Sequence, residues 1–452
     1  MVSMCGALRQ IKDDPFAVLQ PDVIESVCDE VNHHWRSGPL DPVHTVALFV
    51  QQIAEGNVSC AEVCHLSERS FTPEAYCQAR QRLPLEVLAE LSRRVMAAVG
   101  KTAEAPEHDS SRWHGHSVWV VDGSTFSMPD TPELQAHFGQ PHGQQPGCGF
   151  PVGHLLAMFH RTSGVLAEPV ISPLNTSDVR NMPLLHARLG AGDLLLGDDS
   201  FSSWGHFAMI LRSGLHLITP SHHTRTVSFK PHRACNAPGK TAVAGRPSSR
   251  YIKSLGKHDQ LVEWFKPSDR PAWMTQESYD ALPASIIVRE IRRTIHRRGF
   301  RPITVTVATT LTDEQLYPAD EVIELRLSRW EVETDLRHLK TTMKMDVLKC
   351  KSVAGVNKEL NVFVLVYNLV RALMLQAAER QKVALDRISF ADALHWLKHA
   401  APDEALPRLI VNPHRPNRIE PRAVKRRPKK HALLNRPRQE LRNMLKNQHE
   451  AA

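Results

Sequence analysis

The alternation of apolar and polar positions divides the chain into regions that differ in predicted secondary structure. Residues 1–105 favour helices with recognisable start signals. Ser59, with Glu62 three positions later, forms a capping box, and Thr72 followed by Pro73 is a second helix start. The two short helices around the sequence SERSFT are compatible with a helix-turn-helix or with two packed helices. The pattern slightly favours a plain helical bundle.

Beyond a polar linker at 103–114 the pattern changes to short apolar runs typical of strands, separated by helical patterns. This alternation predicts an α/β sheet that is partly parallel and covered on both faces. The predicted strands cover 117–124, 154–160, 165–172 and 193–200, and the predicted helices cover 176–190 and 202–213.

Residues 222–312 are polar and basic and hold three short strand candidates, which predict a β-rich insertion. Helical patterns return at 318–347, 356–380 and 389–399. The apolar run 360–375 contains two asparagines and an arginine, so it predicts a buried helix and no membrane span.

Composition narrows the class of protein. An apolar content of 42% and a charged content of 23% are ordinary for a globular protein of 452 residues. The first residues, MVSMCGALRQIKDD, lack a secretory pattern, and the eight cysteines form no paired framework. We therefore expect the protein to be located in a reducing cytoplasm. The histidine and cysteine spacings do not suggest a structural zinc site.

Positive charge is concentrated near the C-terminus. Between 411 and 447 there are twelve Lys or Arg against two Glu, an excess larger than the net charge of +8 of the whole chain. Lys425, Arg426 and Arg427 lie at the centre of this block. Such a block is suited to nucleic-acid contact, and a disordered solubilising tail is the alternative.

The sequence LRLSRWEVETDLRHLK at 325–340 has an unusual charge pattern. On a regular helix, four cations and one carboxylate fall within an arc of roughly 80° beside an apolar stripe. The charged residues are Arg326, Arg329, Glu333, Arg337 and Lys340, and the apolar ones are Leu325, Val332, Leu336 and Leu339. This arrangement suggests a surface that meets phosphates, whereas a salt-bridged amphipathic helix is the simpler interpretation.

Two further carboxylates occur at predicted strand ends. Asp122 follows an apolar run and precedes Gly123-Ser124, and Asp198 follows the run 194–196 with Asp199 next to it. Ligands bind at the carboxyl ends of strands in open α/β folds. Asp122, Asp198 and Glu333 together would form an all-oxygen site suited to Mg²⁺ or Mn²⁺.

These motifs resemble those of DDE transposases of bacterial insertion sequences, in the IS-four group. The family's first aspartate lies in a DGS-type motif, matched at 121–124, and its second in a GD motif, matched at 197–201. Asp199 stands where the family has a basic residue, and we assign the second aspartate to Asp198 because it directly follows the glycine.

The family's third motif has the spacing Tyr-x2-Arg-x3-Glu-x6-Lys. Arg329, Glu333 and Lys340 match it, and Arg326 replaces the tyrosine. Relative to the arginine, Glu333 lies about 40° around a regular helix and Glu331 about 200°, which independently favours Glu333. Similar stretches extend from residue 75 to 438, including 143–156 and 359–374.

The resemblance implies an RNase H-like core and a transposase that cuts DNA at the terminal inverted repeats and joins it to target DNA. Asp122, Asp198 and Glu333 would hold two ions of Mg²⁺, or Mn²⁺. The expected regions are an N-terminal helical DNA-binding domain (1–105), the core in two parts (115–221 and 313–400, the second with C-terminal helices), the insertion (222–312) and the basic tail (401–452).

The resemblance also implies contacts with double-stranded DNA. Arg326, Arg329, Arg337 and Lys340 would neutralise phosphates, and Trp264 or Trp273 would stack on an extruded base, although a core position is the alternative for either tryptophan. A homodimer on DNA in a bacterial, nucleoid-associated location is expected. An RNase H-like nuclease and an inactive DNA-binding descendant of a transposase remain as alternatives.

Overall fold

Five helices lie in the described part of the N-terminal region, residues 17–103. The computed structural model describes residues 17–103, 112–236, 238, 241–296, 301–400, 405–411 and 436–450. The predicted caps are present, since the Ser59 hydroxyl accepts from the Glu62 N–H and the Thr72 hydroxyl accepts from the Ala75 N–H. The helices are α1 (Pro21–Glu30), α2 (Pro42–Ala54), α3 (Cys60–Leu66), α4 (Pro73–Arg82) and α5 (Leu85–Ala103).

A nine-stranded mixed sheet, in the order β3-β2-β1-β4-β5-β9-β8-β7-β6, organises the rest of the described chain. Strands β1, β4 and β5 are parallel, and β2 and β9 run antiparallel to their neighbours. The strands are β1 (Val118–Ser127), β2 (Val152–His160), β3 (Val170–Pro173), β4 (Leu194–Leu196), β5 (His216–Pro220), β6 (Ser249–Gly256), β7 (Asp259–Phe265), β8 (Ser285–Ile295) and β9 (Ile303–Thr309).

The sheet has a core on each face, as the strand pattern predicts. In β4, Leu194 and Leu196 pack into one apolar cluster, and Leu195 packs into the other. Side chains alternate between the faces of a strand, so three consecutive leucines supply both cores. Between the strands lie α6 (Pro132–Phe138), α7 (Asp178–His186), α8 (Trp204–Arg212) and α9 (Gln276–Asp280).

The predicted insertion extends the same sheet. Strand β5 pairs with β9, and β8, β7 and β6 follow outward from β9. The three predicted strands correspond to β7, β8 and β9. The pattern missed β6, because exposed polar and charged side chains dominate that edge strand.

The helix that carries Glu333 differs from the regular helix that the sequence suggested. It consists of α10 (Ala319–Leu327), a 3₁₀ turn (Ser328–Trp330), α11 (Glu331–Arg337) and a π-helical turn (His338–Thr342). Angles calculated at 100° per residue therefore do not hold across the whole segment. The apolar stripe is buried as predicted, with Leu325, Val332, Leu336 and Leu339 at most 7% exposed.

A long helix, α12 (Val353–Gln381), packs against α2, α5 and α13 (Phe390–His399). It is long and apolar enough to cross a membrane, but 89% of its most apolar window is buried within the protein. That burial is typical of a core helix. The last described helix is α14 (Arg438–Glu450). Lys425, Arg426 and Arg427 lie outside the described residues.

Candidate active site

Asp122 lies in the middle of β1 and not at its end. The parallel pairing with β4 stops at Val120 opposite Leu196, whereas the antiparallel pairing with β2 continues to Ser127 opposite Val152. The predicted strand end is therefore wrong for β1 as a whole. The prediction is right only for the edge of β1 that pairs with β4, because Asp122 lies two residues beyond the last residue pair of these two strands.

Asp198 occupies the matching position, two residues after β4. Its Oδ1 accepts hydrogen bonds from the backbone N–H of Ser200 at 2.9 Å and from the Ser200 hydroxyl at 2.5 Å. These bonds start the 3₁₀ turn Asp199–Phe201 and fix the carboxylate. Asp199 lies farther out, with a half-exposed side chain 3.7 Å from Nδ1 of His223.

Glu333 is on α11, which packs directly on β1. Its neighbours Val332 and Leu336 are buried, and Glu333 itself is exposed. The helix therefore presents the carboxylate from above the strand that carries Asp122. Three separate elements, namely β1, the turn after β4, and α11, thus supply the three carboxylates.

The pKa of Asp122 shows that these carboxylates share one electrostatic environment. Burial raises this pKa most, and the negative charges of Asp198 and Glu333 raise it further. Arg329 and a hydrogen bond from the Gly123 N–H act in the opposite direction.

Two arginines face the carboxylates from the helical side. Nη1 of Arg329 lies 3.6 Å from Oδ1 of Asp122. Burial and the charge of Arg329 lower the pKa of Arg326 to about 10, against the opposing influence of Asp198 and Asp199. Nε of Arg326 and Nη1 of Arg329 are buried, and neither has a hydrogen-bond partner within the described structure. Such buried donors are available to an anionic ligand.

The other two predicted cations lie farther along the segment. Arg337 is exposed on the last turn of α11, next to His338, whose pKa is lowered by burial, by Arg371 and by Arg337, in that order. Lys340 lies in the π-helical turn, where burial lowers its pKa and Asp346 acts against this effect. The structure therefore places Arg326 and Arg329 at the carboxylates, and Arg337 and Lys340 beside other groups.

The carboxylates have suitable chemistry for a divalent cation. Burial first, and then the charges of Asp198 and Glu333, raise the pKa of Asp122; a cation among the carboxylates would offset both effects, and oxygen-only donors suit Mg²⁺ and Mn²⁺. Within the described residues, however, no group of three His, Cys, Asp or Glu side chains is close enough to hold a metal ion. Binding would thus require the carboxylates to approach one another.

Comparison with known proteins gives the family. The model of the transposase DDE domain matches residues 113–369, more than half of the chain. The chain is 27% identical over 417 residues to the transposase InsG for insertion sequence element IS4 of Escherichia coli (strain K12), covering 86% of this chain and 83% of that protein. The chain belongs to the DDE transposases, in the IS4 group.

Two other transposases also match this protein, one in part of its sequence and one in a structural comparison. The putative transposase InsZ of the same strain is 28% identical over 170 residues, which are 37% of this chain and 53% of that protein. The piggyBac transposase in a synaptic complex with hairpin DNA matches with a TM-score of 0.43 and 9% identity, over 86% of this chain and 80% of that one.

A buried polar anchor holds α11 in place, and the sequence analysis missed it. In this transposase, Asp335 lies 3.4 Å from Nη1 of Arg371 on α12, and burial raises the pKa of Asp335 while Arg371 and Tyr367 lower it. The Nε of Arg371 also donates to the Ser163 carbonyl at 3.0 Å. The sequence did offer a sign of this anchor, because Asp335 lies only about 40° from the apolar stripe on a regular helix, where a buried partner would be expected.

A second anchor joins α12 to the loop before β3. The Asn368 side chain accepts from the Leu166 N–H and donates to the Leu166 carbonyl, both at 2.9 Å. Between the two anchors, Gly164 adopts φ +66°, and a Cβ there would lie 1.7 Å from Nη2 of Arg371. Glycine is therefore required where the loop passes the buried guanidinium.

The two tryptophans occupy different environments. Trp264 is fully buried, donates to Glu290 at 3.2 Å and lies under the guanidinium of Arg225. This burial conflicts with the prediction that Trp264 stacks on a DNA base, because the ring is enclosed by protein. Trp273 is half-buried and already stacks on His206, with ring centroids 4.5 Å apart.

Proposed function

We propose that the protein binds the terminal inverted repeats of its own insertion sequence, cleaves the DNA there and joins the freed 3′ ends to target DNA. The single observation that carries this proposal is the placement of the three carboxylates. Asp122 and Asp198 each lie two residues beyond the parallel pairing of β1 with β4, α11 with Glu333 packs on β1, and Nη1 of Arg329 lies 3.6 Å from Oδ1 of Asp122. Membership of the DDE transposases supports the reaction type.

The sheet supports an RNase H-like core for this function. The order β3-β2-β1-β4-β5, with β2 antiparallel and β1, β4 and β5 parallel, is the arrangement that we assign to this core. The strands β6 to β9 then form the insertion, added to one edge of the core sheet. The segment α10 to α11 returns from the insertion and brings Glu333 over β1.

In the first reaction step the oxygen of a water molecule attacks the scissile phosphorus and the bond to the 3′ oxygen breaks, leaving a 3′-hydroxyl. In the second step that hydroxyl attacks a target phosphodiester, one P–O bond forms, and one breaks with release of a target 3′-hydroxyl. Two Mg²⁺ or Mn²⁺ ions held by the three carboxylates would activate the attacking oxygen and stabilise the leaving one.

The remaining residues orient the DNA. Arg329 and Arg326 direct donors towards the carboxylate site, so they neutralise phosphates beside the scissile bond. The bonds from Ser200 fix the Asp198 carboxylate, and the Asp335–Arg371 anchor fixes the direction of α11. Arg337, Lys340 and the basic tail add salt-sensitive contacts with the backbone of the duplex.

The proposal includes double-stranded DNA as partner, a homodimer in the complex of two ends, and a nucleoid-associated location in a bacterial cytoplasm. A homodimer brings two ends together, which concerted insertion requires. The cytoplasmic location fits the free cysteines of the described residues.

The test is cleavage and strand transfer on labelled DNA carrying the element's own end, with Mg²⁺ or Mn²⁺. We expect Glu333→Ala to lower both rates by about 10³-fold or more while DNA binding survives, since a group at the reacting centre is removed. The matched control is Glu324→Ala, which removes an exposed carboxylate of the neighbouring helix α10.

Three outcomes would contradict parts of the proposal. Cleavage that persists in Glu333→Ala would remove Glu333 from the site. Cleavage by the native protein without joining would identify a nuclease. Binding without cleavage by the native protein would identify an inactive, DNA-binding descendant.

A further inference from the structure

A cavity of about 700 Å³ lies away from the carboxylates, where the N-terminal helices meet the start of α12. We call it the junction groove. One wall is α4, with Cys77 and Arg80, and the opposite wall is the segment Lys349 to Lys358. None of the roles described above uses this groove.

The charge of the junction groove is strongly positive. Its lining includes Arg80, Lys349, Lys351 and Lys358, and Glu74 is its one acidic lining residue within the described part of the chain. Cations collected in a concave surface with low-dielectric walls reinforce one another's potential. The groove therefore favours an anionic ligand.

The two walls of the junction groove are fixed to the rest of the protein and to each other. Glu359 is fully buried and accepts from the backbone N–H groups of Lys349 and Cys350 and from the Asn57 side chain. Lys358 donates to the carbonyls of Arg80 and Gln81, which ties α12 to α4. Because both walls are fixed to each other, a ligand would not have to order them on binding.

Arg80 is partly used by the protein and keeps one donor free. Its Nη1 donates to Gln52 at 2.9 Å, its Nη2 lies 2.8 Å from Sγ of Cys350, and its guanidinium lies over the Phe49 ring. Nε is buried and has no hydrogen-bond partner among the described residues. Arg80 thus supplies positive charge at the floor of the groove.

The groove is joined to the carboxylate site by a short, fixed path. The N–H of Ser127, at the end of β1, donates to the Asp346 carbonyl at 3.0 Å, and the Leu348 N–H donates to the Ser127 carbonyl at 2.9 Å. Asp122 is five residues earlier on β1, so roughly 17 Å separate it from this point at the usual rise per residue. About five base pairs of a duplex cover that distance.

We propose that the junction groove binds the phosphodiester backbone of the duplex whose end lies at Asp122, Asp198 and Glu333. The inference rests on the proposed function for the identity of the duplex, and on the four cations that line the groove for the contact. Because these contacts are with phosphates, they bind DNA of any sequence equally well and position the end of the transposon DNA at the carboxylates.

The test compares two double variants in the Glu333→Ala background, where bound DNA stays uncut. Lys349→Ala/Lys351→Ala removes two exposed cations of the groove. The matched control, Arg380→Ala/Lys382→Ala, removes two exposed cations from the other end of α12, about 42 Å away along the helix. Affinity for the end duplex and for a scrambled duplex is measured by anisotropy between 0.05 and 0.3 M salt.

We expect the groove variant to lower the slope of log affinity against log salt by about 1.8, which is roughly a 30-fold loss at 0.15 M, for both duplexes. The control should keep the native slope. An unchanged slope in the groove variant would overturn the proposal, as would a loss confined to the end duplex, which would indicate reading of bases.

A second readout does not depend on those variants. Cys77 lines the groove and is exposed, so bound duplex should slow its alkylation, and 1 M salt should abolish this protection. Unprotected Cys77 in the complex would overturn the proposal. A native protein that cuts DNA while both readouts fail would refute the groove alone, whereas positive readouts without cutting would refute only the catalytic proposal.

Discussion

Arginines with buried donor atoms have different partners in two regions of the described structure. In the strands beyond β5, Arg289 forms two hydrogen bonds with Asp259, at 2.9 and 2.6 Å, and a third with the Tyr317 carbonyl at 2.7 Å. Beside the carboxylate site, Nε of Arg326 and Nη1 of Arg329 are buried and have no hydrogen-bond partner in the described structure, and Nη1 of Arg329 lies 3.6 Å from Oδ1 of Asp122. The first region stabilises the sheet, and the second is the one to which we assign phosphate binding.

The comparison shows which buried charges belong to the fold. Removing one partner of a buried ion pair, such as Arg289 with Asp259, leaves the other charge buried and unpaired, which strongly lowers stability. Removing an arginine that is incompletely paired costs less, because its burial is already only partly compensated. Arg225 also has an unpartnered Nε, but its guanidinium lies over the Trp264 ring, 3.6 Å from the centroid. The unpartnered donors matter at Arg326 and Arg329 because three carboxylates stand beside them.

The largest effect on stability should follow from Arg289→Leu. This change leaves the carboxylate of Asp259 buried and unpaired, so we expect the free energy of unfolding to fall by about 3–5 kcal/mol. Urea denaturation followed by circular dichroism measures it. The double variant Arg289→Leu/Asp259→Leu should recover more than half of the loss, and a double variant as unstable as the single one would contradict the pairing argument.

A smaller loss should follow from Gly164→Ala, which tests the anchor of α11. The left-handed φ and the contact with Arg371 should together cost about 2–3 kcal/mol of stability, because either the loop or the guanidinium must move. Cleavage should fall more than DNA affinity, since the Asp335–Arg371 anchor positions Glu333. Equal losses of cleavage and affinity would show that the anchor does not act on α11.

Two buried histidines, His186 and His206, should make the stability of the protein depend on pH. Burial lowers the pKa of His206 to about 3 and that of His186 to about 4, against 6.5 in the unfolded chain. The unfolded state then binds more protons, so the stability contribution is complete above pH 6.5 and is lost as the pH falls towards 4. Each histidine should cost roughly 2 kcal/mol at pH 5 relative to pH 8.

The measurement is urea denaturation from pH 8 to pH 4.5. His206→Phe should flatten the acid side of the profile, because the phenyl ring keeps the stack on Trp273 and cannot take up a proton. A variant profile that is parallel to the native one would exclude His206 as the source of the acid sensitivity.

The smallest stability effect is expected for Arg326→Tyr, which restores the tyrosine of the family motif. Removing an incompletely paired cation should change the free energy of unfolding by less than about 1 kcal/mol. Cleavage of the element's end should be retained if the position serves to hold a phosphate. A loss of stability comparable to that of Arg289→Leu would show that Arg326 belongs to the fold and not to the site.

The sequence by itself determined the local structure and the candidate residues. The capping residues Ser59 and Thr72 form the predicted caps, and consecutive leucines such as those of β4 supply a core on both faces. The carboxylate and arginine motifs led to the family, which the comparisons establish. Local patterns suffice here because caps and strand periodicity depend on neighbouring residues.

Only the tertiary structure decided how these residues are arranged. It places Asp122 within a strand, interrupts the Glu333 helix with 3₁₀ and π turns, buries Trp264, and adds β6 to β9 to the same sheet. It also joins Asp335 to Arg371 and collects Arg80 with Lys349 in one groove. Burial and charge pairing depend on contacts between residues far apart in the chain, and helical or strand spacing does not encode those contacts.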